Sequence, residues 1–279
     1  MIVTDRPRAK ASAGLDALRA HWPEYLAEAT GLGLFMVSAC VFTLWFEYPG
    51  SSLHQAIPDP VVRRVLTGIA MGLTLIGLIY SPWGQRSGAH LNPSFTMAFL
   101  ALGKIKRWDA LYYVLAQFTG GILGVTLTRL AAGAALAHPA VNYAVTVPGA
   151  PGVVVAFWSE FTISLCLMMM VLAVSNTKRL ARFTPLFAGT LLAAYISIEA
   201  PLSGVSMNPA RTLASAVPAA SYTALWVYFT APPLGMWVAG MIYGYWRGAH
   251  RVFCAKLHHH NDKRCIFRCN YAAIEAANN

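Results

Sequence analysis

The element Ser-Gly-x-x-x-Asn-Pro occurs twice in this chain, at residues 87–93 and again at residues 203–209. Asparagine is a strong helix N-cap and proline is favoured at the first helical position, so each copy predicts the start of a helix. The backbone carbonyls before each helix could accept hydrogen bonds from a passing polar molecule, and the side-chain amides of Asn92 and Asn208 could donate to it. A single Asn-Pro is usually a turn or a helix start, whereas two matching copies indicate a path for small polar molecules.

A second group of residues with reactive or metal-binding side chains lies near the C terminus. Its members are Cys254, His258, Cys265 and Cys269, with His259 and His260 beside them. Thiolate and imidazole groups are ligands that Zn²⁺ prefers. The spacing would place Cys254 with His258, and Cys265 with Cys269, on one face of a helix each. A solvated basic tail without metal is the alternative interpretation, and the sequence leaves both open.

The elements that position these residues must lie in apolar surroundings, because the chain is 57% hydrophobic and only 11% charged. Soluble domains carry about 25% charged residues, so this composition excludes a soluble globular protein. A membrane-spanning helix needs about 20 apolar residues, and six stretches meet that requirement. The predicted spanning helices are residues 24–46, 65–83, 109–130, 154–175, 184–200 and 223–246.

Each Asn-Pro element opens an apolar stretch that is too short to cross a bilayer. We expect half-helices at residues 93–103 and 209–217, each about 15 Å long against a hydrocarbon core of about 30 Å. Glu28 and Glu160 mark corresponding positions in the first and fourth helices, which indicates an internal repeat. Three spans per repeat give the halves opposite orientations. The half-helices should therefore meet at the midplane with their positive N-terminal ends, which disfavours cations.

The net charge of +10 is distributed in a way that predicts topology. Of the 21 Lys and Arg residues, all but Arg63, Arg64, Arg129 and Arg211 fall on the side of the two termini. The positive-inside rule therefore predicts cytoplasmic termini, and the basic excess does not indicate nucleic-acid binding. No cleavable signal peptide is visible at the start of the sequence.

The chain divides into three predicted parts. Residues 1–21 form a cytoplasmic N-terminal segment, expected to be disordered or interfacial, and residues 249–279 form a polar cytoplasmic tail. Between them, residues 22–248 form the membrane domain, with one repeat over 22–136 and the other over 153–248. The tail's cysteines would lie in a reducing compartment, so no disulfide framework is expected.

Residues 22–248 resemble the aquaporin, or major intrinsic protein, family, in its bacterial type. The family signature is a pair of Asn-Pro-Ala boxes, the second followed by arginine. The matching residues here are Asn92-Pro93-Ser94, Asn208-Pro209-Ala210-Arg211, Glu28, Glu160 and Ala116-Gln117. Ser94 departs from the family's alanine, and we expect its hydroxyl to bond back to local backbone without loss of the pore.

The resemblance implies an all-α membrane protein with six transmembrane helices and two re-entrant half-helices in an inverted repeat. The residues that it implies for an outer selectivity constriction are Met71, Ile196, Val205 and Arg211. There the permanently charged guanidinium of Arg211 would repel cations. His90 would line the cytoplasmic vestibule. Glu28 and Glu160 would accept hydrogen bonds from the loops that lead into the half-helices.

The function that the resemblance implies is passive conduction of water and small neutral solutes, with protons and ions excluded. Neither enzymatic activity nor a cofactor is expected. A constriction of Met71, Ile196 and Val205, without histidine, is more apolar than in water-selective members. A channel chiefly for glycerol, ammonia, hydrogen peroxide or metalloid acids is therefore the alternative, and a metal or redox sensor acting through the tail is a third interpretation. The resemblance further implies a homotetramer in the lipid bilayer of a bacterial inner membrane.

Overall fold

The computed structural model describes residues 6–248 and 251–271, and this part of the chain contains helices and turns but no strand. Its α-helices are α1 (Arg6–Glu47), α2 (Ser52–Ala56), α3 (Pro60–Tyr80), α4 (Pro82–Ser87), α5 (Pro93–Ala101), α6 (Arg107–Ala132), α7 (Val153–Ser175), α8 (Thr184–Ser203), α9 (Pro209–Ala219) and α10 (Leu225–Arg247). Short 3₁₀ turns lie between them at Gly133–Ala137, Asn142–Ala144 and Ala181–Phe183. The outer ends of the predicted segments 1–21 and 249–279 lie outside the described residues.

Several helices begin at a proline that directly follows a capping side chain. The pairs are Asp59-Pro60 in α3, Ser81-Pro82 in α4, Asn92-Pro93 in α5 and Asn208-Pro209 in α9. Each capping oxygen accepts a first-turn backbone N–H that has no partner within its helix, and proline has no N–H to leave unpaired. Local chemistry therefore determines where the two short helices of the membrane region, α5 and α9, begin.

Among the described residues, six helices are long and apolar enough to cross a membrane. They are Ala13–Glu47, Pro60–Tyr80, Arg107–Ala137, Val153–Ser175, Ala181–Ser203 and Leu225–Arg247. Their outward faces carry Leu73, Leu130 and Ile198 at 63%, 76% and 78% exposure, a surface suited to lipid contact. The α5 and α9 helices, of 9 and 11 residues, are too short to span a bilayer. The predicted fold class of six spanning helices and two half-helices is confirmed.

The helices pack as two matching halves. The α1 helix lies along α6 and α7 lies along α10, while α3 packs against α8 between the halves. Each half-helix is held by the opposite half, because α5 packs on α10 and α9 packs on α6. Glycines permit the closest approaches: a Cβ on Gly120 would overlap the Ala29 carbonyl, and one on Gly235 would overlap the Phe161 carbonyl. The same contact thus recurs in both halves, as an inverted repeat requires.

Residues 6–21, for which we expected a disordered or interfacial segment, are helical. The α1 helix begins at Arg6 and continues through Pro23. Two of its side chains reach the Asp109 carboxylate of α6, with His21 Nδ1 at 2.6 Å and the Tyr25 hydroxyl at 2.7 Å. Packing against a distant helix stabilises this segment, and such a contact leaves no local pattern in the sequence.

Residues 251–271 fold against one end of the bundle and do not form the polar, solvated tail that we expected. Val252 and Ala255 are 0% exposed, and Cys254 and Leu257 are 4% exposed. The same segment also contains Lys256, Asp262, Lys263 and Arg264, so its average composition concealed these apolar side chains. The segment is irregular, and the helical faces predicted for its cysteine and histidine pairs do not form. We call this end of the bundle the tail side and the opposite end the far side.

We expect Gly120→Ala to destabilise the bundle, because the added methyl group would meet the Ala29 carbonyl. Overpacking of this kind costs about 1–3 kcal/mol. Gly77→Ala is the matched control, since that glycine of α3 has open space around it. Thermal unfolding in detergent, followed by size-exclusion chromatography, should show a lower midpoint for Gly120→Ala only. Equal midpoints for the two variants would contradict the close packing of α1 and α6.

Candidate functional site

The two Asn-Pro elements meet inside the bundle, where each asparagine caps its own half-helix and binds the loop of the other half. The Asn92 Oδ1 accepts from the Ser94 N–H at 2.8 Å, and its Nδ2 donates to the Met207 carbonyl at 2.7 Å. Asn208 likewise caps α9 through its Oδ1 and donates from Nδ2 to the Leu91 carbonyl at 2.7 Å. Each Nδ2 keeps a second N–H for another partner. The N-terminal ends of α5 and α9 thus face one region.

The loops before the half-helices repeat the same unusual backbone. Ala89 and Leu91 have φ values of 54° and 48°, and Val205 and Met207 have 51° and 52°. Left-handed conformations cost non-glycine residues roughly 1–2 kcal/mol each. Such conformations persist only where the surrounding structure holds them in place. The support for these loops is therefore part of the site.

Two buried carboxylates hold the loops. Glu28 accepts hydrogen bonds from the Ser87 hydroxyl, the His90 and Leu91 N–H groups and the Gln117 amide, at 2.7, 3.0, 2.7 and 2.7 Å. Glu160 accepts from the Ser203 hydroxyl and the Ser206 and Met207 N–H groups, at 2.8, 2.7 and 2.7 Å. Because Glu28 and Glu160 are 0% exposed, no bulk water can replace them as acceptors. With these N–H groups paired inside the protein, the loops have carbonyl acceptors left for other partners, and those of Leu91 and Met207 bind the asparagine amides.

Two tyrosines add a matching support that the sequence reasoning missed. The Tyr113 hydroxyl donates to the Ser87 carbonyl at 2.7 Å, and the Tyr228 hydroxyl donates to the Ser203 carbonyl at 2.6 Å. Each carbonyl belongs to the last residue of a helix and has no N–H partner in a following turn. Tyr113 and Tyr228 are separated along the chain by nearly the same distance as the two Asn-Pro elements. A search for other residues at that spacing would have found them.

The Ser94 hydroxyl does not make the local backbone bond that we expected. Its Oγ is buried and has no hydrogen-bond partner among the described residues. Ser94 is the second residue of α5, so no preceding helical turn supplies the carbonyl that a serine inside a helix would use. Thr96, one half-turn later, does reach back and donates to the Asn92 carbonyl at 3.2 Å.

Two cavities adjoin the asparagine pair. The central cavity, of about 60 Å³, is bordered by His90, Asn92 and Asn208. A single water needs about 10–15 Å³, so several can fit. The far-side cavity, of about 530 Å³, is bordered by residues that include Met71, Ile196, Val205 and Arg211. Phe35, Leu192 and Ser206 border both cavities, which therefore adjoin one another.

The four residues assigned to the constriction from the sequence thus lie around one cavity. Met71 and Val205 are 3% and 5% exposed, so their side chains form part of its buried wall. The Arg211 backbone N–H donates to the Asn208 Oδ1 at 3.2 Å, which fixes the residue in the first turn of α9. Its Nη1 is buried without a hydrogen-bond partner among the described residues. A charged donor is therefore free to bind a neutral polar molecule in this cavity.

His90 lies at the tail-side border of the central cavity. Its Nδ1 lies 3.0 Å from the Thr96 hydroxyl and its Nε2 lies 2.9 Å from the Ala255 carbonyl. The ring also stacks between Phe99 and Phe267, at centroid distances of 5.2 and 5.3 Å. His90 therefore borders the central cavity on one side and contacts the folded tail on another.

The structure gathers three of the four tail residues proposed as metal ligands, but with a different histidine. Cys254, Cys265 and Cys269 come together with His259. His258 instead packs its ring on Tyr80, at a centroid distance of 5.0 Å. The irregular backbone explains the correction, because the helical spacing that favoured His258 is absent from this segment.

These features define an integral, multi-pass membrane protein of the aquaporin fold. The chain belongs to the major intrinsic protein family, whose model matches residues 17–243. The family resemblance expected from the two Asn-Pro elements is confirmed.

The relatives found include plant proteins, and a solved structure shares the fold. Aquaporin NIP3-1 of Zea mays is 37% identical over 174 residues, covering 62% of this chain and 56% of the relative. Aquaporin NIP2-2 of Zea mays is 32% identical over 223 residues, covering 77% and 72%. An aquaglyceroporin structure from Plasmodium falciparum has a TM-score of 0.68 at 20% identity, covering 80% of this chain and 95% of that one. The match thus spans little more than half the length of NIP3-1.

We expect Asn208→Ala to lower both stability and permeability. The change removes a helix cap worth about 0.5–2 kcal/mol and leaves the Leu91 carbonyl without its donor. Ser81→Ala is the matched control, because Ser81 caps the short helix α4 without binding the opposite loop. Thermal unfolding in detergent and water flux in proteoliposomes measure the two effects. A permeability loss of the same size in both variants would argue against a specific role for the crossed asparagine bond.

Proposed function

We propose that the protein is a passive channel that conducts water and small neutral solutes through the two adjoining cavities. The observation that carries the proposal is the crossed pair Asn92 and Asn208, whose amides border the central cavity. The hydrogen bonds that these amides can make to a solute are individually weak and exchange with those of water. A solute can therefore enter the cavity and also leave it. No covalent step is needed, and we propose no enzymatic activity.

Positive charge along the path supports the exclusion of cations and protons. The N-terminal ends of α5 and α9 each carry roughly half a positive charge and face the same cavity. Arg211 and Arg64 add two positive charges at the far-side cavity, against the single carboxylate of Glu47. A cation would have to lose its hydration while approaching groups of the same charge. This is unfavourable in a narrow path with apolar walls.

We further propose that the tail side faces the cytoplasm. Six spans put both termini on the same side, and most Lys and Arg residues lie in the segments on that side. The channel unit would comprise residues 22–248, with its repeats over 22–136 and 153–248, and residues 249–279 would form an accessory tail. A homotetramer in a bacterial inner membrane remains the expected assembly and location.

Proteoliposomes that contain the protein should shrink faster under osmotic shock than empty vesicles and should carry no proton current. Stopped-flow light scattering measures the shrinkage, and a pH-sensitive dye inside the vesicles measures proton entry. Equal shrinkage rates with well-folded protein would refute the water channel.

We expect Val205→Trp to reduce water flux nearly to that of empty vesicles. Val205 borders the far-side cavity, and an indole ring there would fill the space beside Arg211. Leu73→Trp is the matched control, because Leu73 is 63% exposed on the outer surface of α3. Unchanged flux through Val205→Trp would place the path elsewhere.

A channel chiefly for glycerol, ammonia, hydrogen peroxide or metalloid acids is the second candidate. Met71, Ile196 and Val205 give the far-side cavity an apolar wall, which favours solutes with a carbon skeleton or little charge. Water and glycerol permeability measured on the same vesicles separates the two candidates. We expect both to exceed the values of empty vesicles, and glycerol flux at the level of empty vesicles would exclude the second candidate for that solute.

A further inference from the structure

The residues Cys254, His259, Cys265 and Cys269 form a compact cluster on the tail side, which we call the Cys/His cluster. One ligand atom from each lies within 4.8 Å of the others. The Cys254 and Cys265 sulfurs are 3.4 Å apart, and the His259 Nε2 lies 3.1 Å from the Cys269 sulfur. Tetrahedral Zn–S bonds of about 2.3 Å place neighbouring sulfurs about 3.8 Å apart. Three thiols and an imidazole at these distances are the donor set of a structural zinc site.

The surroundings of the cluster suit bound thiolates. The Lys256 N–H donates to the Cys254 sulfur and the Tyr271 N–H to the Cys269 sulfur, both at 3.5 Å. Such outer contacts orient metal ligands and stabilise their charge. Zn²⁺ with three thiolates carries one net negative charge. Two buried lysines lie nearby, because Lys256 follows Cys254 by two residues and the Lys104 carbonyl accepts from the Arg268 N–H beside Cys269. Nearby positive charge would favour the negatively charged site.

The fold of the tail is also of a kind that a cross-link commonly stabilises. Residues 251–271 contain almost no regular secondary structure, although Val252 and Ala255 are fully buried. Ordering each residue costs about 1–2 kcal/mol of backbone entropy. The segment has almost no helix or strand of its own to help offset that cost, and small folds of this kind are commonly held by a metal or disulfides. The sulfur separation within the cluster is too long for a disulfide bond of about 2.0 Å.

The folded tail covers the tail-side end of the path. The Ala255 carbonyl lies 2.9 Å from His90 Nε2, and the Leu257 N–H donates to the Gly88 carbonyl at 3.1 Å. The Phe267 ring stacks on the His90 ring. The tail therefore occupies hydrogen-bonding groups of the first loop that a passing solute would need.

We propose that the Cys/His cluster binds Zn²⁺ and that the metal holds the tail across the tail-side end of the path. The closing role rests on the channel proposed above, whereas metal binding is independent of it. Ala255 and Leu257 lie between the first two ligands of the cluster, and Phe267 lies between the last two. Each contact with the path thus belongs to a loop that the metal would close at both ends. Removing the metal would release these loops.

Metal content tests the site directly. Full-length protein is purified in detergent with a reducing agent, loaded with zinc, freed of unbound metal and measured by inductively coupled plasma mass spectrometry. We expect one Zn²⁺ per chain, with most of it lost in His259→Ala and Cys265→Ser. His258→Ala and Cys166→Ser are the matched controls and should keep it, because neither residue belongs to the cluster. Substoichiometric zinc in the unmodified protein, or equal zinc in His258→Ala and His259→Ala, would overturn the site.

Cobalt provides a readout that does not depend on the variants folding. Co²⁺ added to the unmodified, metal-free protein should give the intense sulfur-to-cobalt charge-transfer absorption and the visible bands of tetrahedral coordination, and zinc should displace both. Octahedral spectra without charge transfer would show that the thiols do not bind the metal, against the proposal.

Permeability tests the closing role. Proteoliposomes made with chelator-treated protein, or with Cys265→Ser, should shrink several-fold faster than those made with zinc-loaded protein. Cys166→Ser should keep the zinc sensitivity of the unmodified chain. Equal flux with and without zinc, both above empty vesicles, would refute the closing role and leave the channel standing. Flux at the level of empty vesicles in every state would instead refute the channel, and the closing role with it, while zinc content still decides the metal site.

Discussion

The whole arrangement depends on pairing backbone N–H groups that lie deep in the membrane region with no water to bind them. An unpaired group there costs several kcal/mol, so irregular backbone survives only with dedicated partners. Glu28 and Glu160 supply these partners from α1 and α7, which hold matching positions in the two halves. Their carboxylates accept but never donate when ionised, so the loops present their N–H groups to the protein and leave carbonyls for the path. In the channel proposed above, this one-sided pairing would set which hydrogen bonds a solute can make.

The two halves share this support but differ at their ends. On the far side, Arg211 and an apolar wall border a cavity of about 530 Å³. On the tail side, Ala255 and Phe267 contact His90 at the border of the central cavity. An inverted repeat would by itself give two similar entrances. The segment after α10 breaks that equivalence, and it does so with residues that belong to neither repeat.

Local chemistry explains why the sequence predicts the half-helices so well. Capping by Asn92 and Asn208 and the fixed geometry of proline act within a few residues, so a single sequence suffices to place the starts of α5 and α9. The partners of those asparagines, the supporting tyrosines and the long α1 arise from contacts between distant segments. The sequence likewise does not show that His259, and not His258, lies beside the three cysteines. That placement depends on an irregular backbone without periodic spacing. The folding of the tail was not predicted either, because its apolar residues stand among charged ones without a periodic spacing.

The crossed asparagine bonds also bear on how the chain folds while it is being synthesised. The acceptor of the Asn92 amide, the Met207 carbonyl, lies 115 residues further along the chain. The Asn208 amide in turn binds Leu91, 117 residues earlier. A nascent chain that has completed only its first repeat can cap α5 with Asn92 but lacks the Met207 carbonyl that the Asn92 Nδ2 binds. Leaving that donor unpaired costs about 1–3 kcal/mol, so completion of the second repeat stabilises the half-helix of the first.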